Sequence, residues 1–94
     1  MGKKTERKYE FTGVTKLYRN ITLRQVRRIS DGFVGGWIES EKNLSHAGTC
    51  FVFDNAWVSG NAWVSGNAWV SGNAWVYGNA WVYKNARVSV GQFS

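Results

Sequence analysis

The sequence predicts an all-β protein in which a small β-hairpin precedes a short β-solenoid. A six-residue phrase, first written Asn-Ala-Trp-Val-Ser-Gly, fills residues 55–90 in six successive copies. A fixed short period is typical of solenoids, and a period of six is typical of hexapeptide β-helices. Because six is even, each side chain keeps its side of the strand from one copy to the next. Gly-Asn pairs recur between copies, where a sharp corner needs residues that tolerate positive φ.

Four segments follow from the composition. We expect a flexible basic tail at 1–7, an N-terminal β cap at 8–34, a hexapeptide-repeat β-helix at 35–91 and a C-terminal tail at 92–94. Within the cap, the alternating run 8–12 and the β-branched run 21–29 predict two strands. Gly13 and the Arg19-Asn20 pair are the predicted turn points. A series of short antiparallel hairpins would not explain why identical residues recur in every segment.

The repeat closely resembles that of hexapeptide-repeat proteins, which fold as left-handed parallel β-helices. Their pattern is an aliphatic residue, two variable positions, a turn residue and a small residue. Three hexapeptides form one triangular coil of about 18 residues in that family, so the resemblance implies about three coils here. Ile38 and Leu44 would begin the first coil, with two extra residues between Ser45 and Thr49.

A second resemblance covers the order of blocks across residues 9–90. The blocks are Leu23-Arg-Gln-Val26, Gly35-Gly-Trp-Ile-Glu-Ser40, Asn43-Leu-Ser45 and Gly48-Thr-Cys50. They are similar to bacterial and phage proteins of the polymer-forming or "putative transferase" kind, which carry Asn-Ala-x-Val-x-Gly repeats. The transferase label follows from the fold, and a fold alone does not establish an activity.

The resemblance implies which side chains lie inside and which outside. The predicted core valines are Val52, Val58, Val64, Val70, Val76, Val82 and Val88. The predicted outward indoles are Trp57, Trp63, Trp69, Trp75 and Trp81. A coil of this length would stack Trp57 under Trp75 and Trp63 under Trp81. It would also place Trp69 under Arg87. We therefore expect indoles exposed on every face, which a soluble monomer rarely tolerates.

Positive charge is concentrated at the N-terminal end. Residues 1–30 carry nine Lys/Arg and two Glu, a net charge of +7, whereas residues 31–94 have a net charge of −1. Arg24, Arg27 and Arg28 could bind phosphates, which would make the protein a nucleic-acid binder. A solvated strand face is the simpler interpretation for so small a domain, so we do not expect nucleic acid as a partner.

Catalytic constellations are scarce. The one histidine, His46, is the only candidate base for a hexapeptide acyltransferase, and Glu41 and Asp54 are the nearest carboxylates before and after it in sequence. A lone histidine in a connecting loop is more often a surface residue than a general base. One Cys and one His cannot form a structural zinc site within a single chain. We expect no enzyme, no cofactor and no metal.

Neither a secretory signal nor a membrane-spanning segment is evident in the sequence. A single cysteine, Cys50, allows no internal disulfide and fits a reducing compartment. These features predict a cytoplasmic protein without a membrane partner.

The function predicted is that of a structural, self-assembling module. We expect no cap after the last repeat, which would leave a strand edge open to another chain. Val88, Val90 and Phe93 are the candidates for contact in an end-to-end homodimer, and the five outward indoles are the candidate interface of a lateral trimer. The alternative is a carbohydrate- or surface-binding module that uses exposed Trp and Tyr.

Overall fold

Each copy of the repeat folds into one two-residue strand followed by a corner. A computed structural model describes residues 7–93. The solenoid strands are β4 (Phe51–Val52), β5 (Trp57–Val58), β6 (Trp63–Val64), β7 (Trp69–Val70), β8 (Trp75–Val76), β9 (Trp81–Val82), β10 (Arg87–Val88) and β11 (Gln92–Phe93). Apart from one 3-10 turn (Glu41–Asn43), all regular structure in the described residues is strand.

Three longer strands precede the solenoid. These are β1 (Tyr9–Tyr18), β2 (Ile21–Arg28) and β3 (Val34–Ile38), which form an antiparallel sheet. Arg19 and Asn20 both have positive φ and form the tight turn between β1 and β2, as predicted. The prediction of a turn at Gly13 is wrong. Gly13 lies inside β1, where its φ of 99° accommodates an irregularity in the β1–β2 register, and pairing with β2 resumes at Thr15.

The strands stack in parallel, so the fold is a β-solenoid of about three turns. Trp57 pairs with Trp75, and Phe51 with Trp69, each 18 residues further along the chain. One face contains β3, β5, β8 and β11, a second contains β4, β7 and β10, and the third contains β6 and β9. Leu44 begins the third face through a parallel bridge to Val64. The all-β solenoid predicted from the repeat is thus confirmed.

Valine and alanine fill the interior. Val52, Val58, Val64, Val70 and Val76 are completely buried, and Val82 and Val88 in the last turn are almost so. Ala56, Ala62, Ala68 and Ala74 lie beside them in the same core. Because each Å² of buried apolar surface contributes about 25 cal/mol to the free energy of folding, this column is the main source of stability.

The N-terminal end of the solenoid is covered. Tyr9 is completely buried, and its hydroxyl donates to the carbonyl of Leu44 at 2.5 Å and lies 3.1 Å from the carbonyl of Glu41. This burial raises the pKa of Tyr9 above its ordinary value. The Lys8 ammonium donates to the carbonyl of Cys50 at 2.5 Å. The start of the hairpin therefore satisfies the carbonyls of Leu44 and Cys50 in the first turn.

Two predicted boundaries need correction. The sequence predicts a tail at 92–94, but Gln92 and Phe93 form β11 on Trp75 and Val76. That pairing spans 17 residues, one fewer than the 18 that separate paired strands within the repeat, because the chain shortens its corner at Gly91, where φ is 90°. Strand β3 also crosses the predicted boundary at residue 35, since it pairs with both β2 and β5. Of the predicted tail 1–7, residues 1–6 lie outside the described part.

Candidate interaction surfaces

An apolar concavity lies at the C-terminal end of the solenoid. It has a volume of about 550 Å³ and is lined by Ala80, Trp81, Val82, Tyr83, Lys84, Ala86, Val88 and Phe93. The lining is mostly apolar because the solenoid core, continuous along the axis, reaches the surface there. Val82 and Val88 keep a small exposure of 5% and 8%, whereas the valines below them have none.

Backbone edges surround this concavity. Among the described residues, β9 pairs only with β6, β10 only with β7 and β11 only with β8. Each strand therefore presents a row of N–H and C=O groups on its outer side. Such an edge is a template for pairing with another strand.

The predicted contact residues at this end occupy different environments. Val88 is buried and forms part of the floor of the concavity. Phe93 lines the wall and is 43% exposed, because its strand is the last of its face. Val90 is the most exposed large hydrophobic of the described chain, at 72%, but it does not line the concavity.

On the first face, the indoles form a stack that the hairpin covers. The rings of Trp57 and Trp75 are parallel with centroids 4.3 Å apart. The Tyr18 ring meets Trp57 edge-on at 4.9 Å, and the Tyr77 ring stacks on Trp75 at 4.4 Å. Both indoles are consequently only partly exposed. The expectation of exposed indoles on every face is wrong for this face, because the Tyr18 ring covers it. No feature of the sequence indicates that Tyr18 reaches this face.

The third face carries the most exposed indole of the repeat, that of Trp81. Trp63 and Trp81 meet edge-to-face at 5.2 Å, and Trp81 is 61% exposed. Tyr83, which is also exposed, lies 6.1 Å from Trp81. An aromatic surface therefore runs from the third face to the rim of the C-terminal concavity.

The second face combines aromatic and cationic groups. The Arg87 guanidinium lies over the Trp69 ring at 4.6 Å, which is a cation–π contact at the predicted position. Phe53 meets the Trp69 ring edge-on at 5.4 Å. Phe51, at the corresponding position one turn earlier, is completely buried.

The ring of His46 is held by contacts with other residues of the chain. Its Nδ1 accepts a hydrogen bond from the backbone N–H of Lys8 at 3.0 Å, so the proton of the neutral ring resides on Nε2. Nε2 lies 3.2 Å from the Glu41 carboxylate, and the ring stacks on Tyr9 at 4.0 Å. Burial alone would raise the pKa of Glu41, but hydrogen bonds from Arg7 and His46 outweigh it and lower that pKa. Asp54 instead accepts from the N–H of Gly72.

The three arginines considered for phosphate binding have partners within the chain. Arg27 pairs with Glu10, and Arg28 pairs with Asp31 at 2.9 Å. The latter contact lowers the pKa of Asp31 to about 2. Arg24 donates to the Glu39 carbonyl. The ion pairs of Arg27 and Arg28 reduce the positive charge that the β2 face offers to a polyanion, whereas Arg24 binds a neutral carbonyl.

Residues 7–93 contain no group of three or more His, Cys, Asp or Glu side chains placed to hold a metal ion. The same part of the chain has no helix of the length and apolarity needed to cross a bilayer. Cys50 is a buried free thiol.

The comparisons with known proteins address the repeat. A family model described as "YdcK Beta solenoid repeat" matches residues 62–78 and 68–84. Over these residues the repeat is similar to the YdcK β-solenoid repeat. The two YdcK matches are offset by six residues, one copy of the phrase, and together they span β6 to β9. The search of curated proteins gave no match.

Proposed function

We propose that this chain is a non-catalytic, self-assembling β-solenoid module that forms a homodimer through its C-terminal end. The observation that carries the proposal is the apolar concavity at that end, ringed by three strands that, within residues 7–93, pair on one side only. Val82 and Val88 would become fully buried beneath a second copy. Closing the concavity removes apolar surface from water and satisfies the strand edges at once.

The difference between the two ends favours a closed dimer over a filament. Head-to-tail stacking needs an open N-terminal end, and there Tyr9 and Lys8 already bind the carbonyls of the first turn. A two-fold axis across the C-terminal ends instead joins identical surfaces and leaves no free copy of that surface. The edges would then pair antiparallel, because each strand meets the same side of its symmetry mate. A lateral trimer through the indoles has less support, since Tyr18 covers the first face.

A charge placed in the concavity tests this proposal. Ala86 is exposed and lines the concavity, so Ala86→Lys changes the surface without disturbing the core. The matched control is Ala47→Lys, an exposed position in the loop that leads to β4. We expect Ala86→Lys to weaken self-association at least about tenfold, through desolvation of two ammonium groups, and Ala47→Lys to leave it unchanged. Equal association of both variants with the parent chain in analytical ultracentrifugation would contradict the C-terminal interface.

The environment of His46 supports the non-catalytic part of the proposal. Both ring nitrogens have partners within the chain, so neither is available to a substrate without breaking a structural contact. A His46→Ala variant that loses acyl transfer while retaining its fold would overturn this part and favour the acyltransferase alternative.

Exposed aromatic side chains favour carbohydrate binding as a second candidate function. Trp81 and Tyr83 form a platform of the kind on which sugar rings stack. A glycan should then change tryptophan fluorescence in the parent chain but not in Trp81→Ala. A fluorescence change that depends only on protein concentration would favour self-association instead.

We further propose that the solenoid is left-handed and of the hexapeptide-repeat class, and that it comes from a bacterial or phage protein. The support is the Asn-Ala-Trp-Val-x-Gly phrase together with three six-residue rungs per turn. An experimental structure determines the handedness directly, and a right-handed coil would contradict the assignment.

A further inference from the structure

A second, polar cleft lies between the hairpin and the first corner of the solenoid. Its volume is about 520 Å³, within the range of small-ligand sites. The lining residues are Asn20, Thr22, Arg24, Glu39, Ser40, Lys42, Gly60 and Asn61. None of them lines the C-terminal concavity, so the two surfaces are separate.

Two cations and one anion line this cleft. Arg24 uses one Nη1–H to bind the Glu39 carbonyl, and its guanidinium makes no other hydrogen bond within the described residues. Its remaining N–H groups can therefore serve an outside acceptor. Lys42 donates to the Asn61 side-chain oxygen at 3.2 Å, which holds its ammonium at the cleft. The excess of positive charge favours an anionic ligand.

The other groups of the cleft suit hydroxyls. Glu39 accepts from the Gly60 N–H through Oε1 at 2.7 Å, which fixes the carboxylate and leaves Oε2 as an acceptor. Ser40 Oγ is buried and has no hydrogen-bond partner among the described residues. Buried hydroxyls in folded proteins are rarely left without a partner, so this oxygen is suited to a hydrogen bond with a bound ligand or an ordered water.

We propose that this cleft binds a small anionic sugar, meaning a polyhydroxylated molecule that carries a phosphate or a carboxylate. Arg24 and Lys42 bind the anionic group through charge-assisted hydrogen bonds. The Glu39 carboxylate accepts from sugar hydroxyls, and the side chains of Ser40 and Thr22 provide further polar contacts. A neutral sugar would leave both cations without a counter-charge.

The test is a titration of the full chain, followed by the amide signals of Gly60 and Asn61 in ¹H–¹⁵N NMR spectra. The probes are glucose 6-phosphate, glucuronate, glucose and inorganic phosphate. We expect saturable shifts with glucose 6-phosphate, glucuronate or both, and affinities at least about tenfold weaker for glucose and for inorganic phosphate. The relative affinities of the two anionic sugars distinguish a phosphate site from a carboxylate site.

Variants separate specific binding from attraction to a basic protein. Arg24→Gln and Lys42→Gln should each weaken binding about tenfold or more. Arg87→Gln makes the same change in net charge at a residue that lines neither cavity, and should change affinity by less than about twofold. Lys42 is exposed, so Lys42→Gln remains informative if Arg24→Gln fails to fold.

Three results would overturn the proposal. The first is that neither anionic sugar gives saturable shifts. The second is that glucose or inorganic phosphate binds as tightly as the anionic sugars. The third is that Arg87→Gln loses as much affinity as Arg24→Gln and Lys42→Gln. Self-association is measured separately on the same samples, so failure of either proposal leaves the other standing.

Discussion

The indole of Trp75 lies flat on that of Trp57, with ring centroids 4.3 Å apart and planes 14° apart. The two residues are 18 positions apart and occupy paired sites in β8 and β5. Trp75 also donates from Nε1 to the Ser59 hydroxyl at 3.3 Å. The stack therefore joins two successive turns on the outside, as the valines do on the inside.

Removing one ring of this stack should destabilise the fold strongly. Trp57→Ala deletes an indole held between Trp75 and Tyr18, and we expect a loss of about 3 kcal/mol in the free energy of unfolding. Trp81→Ala is the matched control, because its indole is 61% exposed, and it should cost less than about 1 kcal/mol. Urea denaturation measures both. Equal losses would show that the first-face stack has no special role.

The buried Asn43 should be intolerant of substitution. Its Oδ1 accepts from the N–H groups of Glu39 and Ser40, and its Nδ2 donates to the carbonyls of Gly60 and Ala62. Asn43→Ala removes the side-chain partner of all four backbone groups, of which the Glu39 N–H keeps the Val58 carbonyl as a second partner, so we expect a loss of about 3 kcal/mol. Asn67→Ala is the control at an exposed asparagine and should cost less than about 1 kcal/mol. If Asn43→Ala lowers the stability in thermal unfolding by no more than Asn67→Ala does, the structural role of Asn43 is contradicted.

Lys84 occupies a corner where the first four copies of the repeat have glycine. Its φ is 57°, in the left-handed region, which costs a residue with a Cβ atom roughly 1 kcal/mol. Lys84→Gly should therefore raise the free energy of unfolding by about that amount. At Gly66, one turn below, an added Cβ would lie 2.9 Å from the Lys84 backbone nitrogen, so Gly66→Ala should destabilise. A lower free energy of unfolding for Lys84→Gly than for the parent chain, measured by urea denaturation, would contradict the strain at this corner.

Acid should weaken the turn between β2 and β3. The Arg28 guanidinium lowers the pKa of Asp31 from 3.8 to about 2 in the folded chain. A depressed carboxyl pKa adds stability above the unfolded-state value, and this stability is lost as pH falls from about 4 to about 2. Asp31→Asn should make the urea midpoint less sensitive to pH in that window. An unchanged pH dependence in this variant would exclude the Arg28–Asp31 pair as its source.

The repeat predicts the solenoid because its information is local and redundant. Val64 and Trp63 recur at a fixed spacing, and alternation along a strand then determines which of them is buried. The hairpin is harder to predict because it depends on single long-range contacts. Tyr18 reaching Trp57 has no periodic signal, and neither does Tyr9 donating to the Leu44 carbonyl.

The candidate surfaces divide in the same way. The exposed end can be predicted from the repeat, because no further strand stacks on β9 and β10, which contain Val82 and Val88, within the described residues. The polar cleft could not be predicted. Arg24 and Lys42 are distant in sequence from Asn61, and only the approach of the hairpin to the first corner brings them together.

The central claim is self-association through the C-terminal end, and absolute mass in solution tests it most directly. Light scattering behind a sizing column, over a wide range of protein concentration, should give twice the mass of the chain. The Ala86→Lys variant should give the mass of one chain under the same conditions. A monomeric parent chain at every concentration would contradict the account.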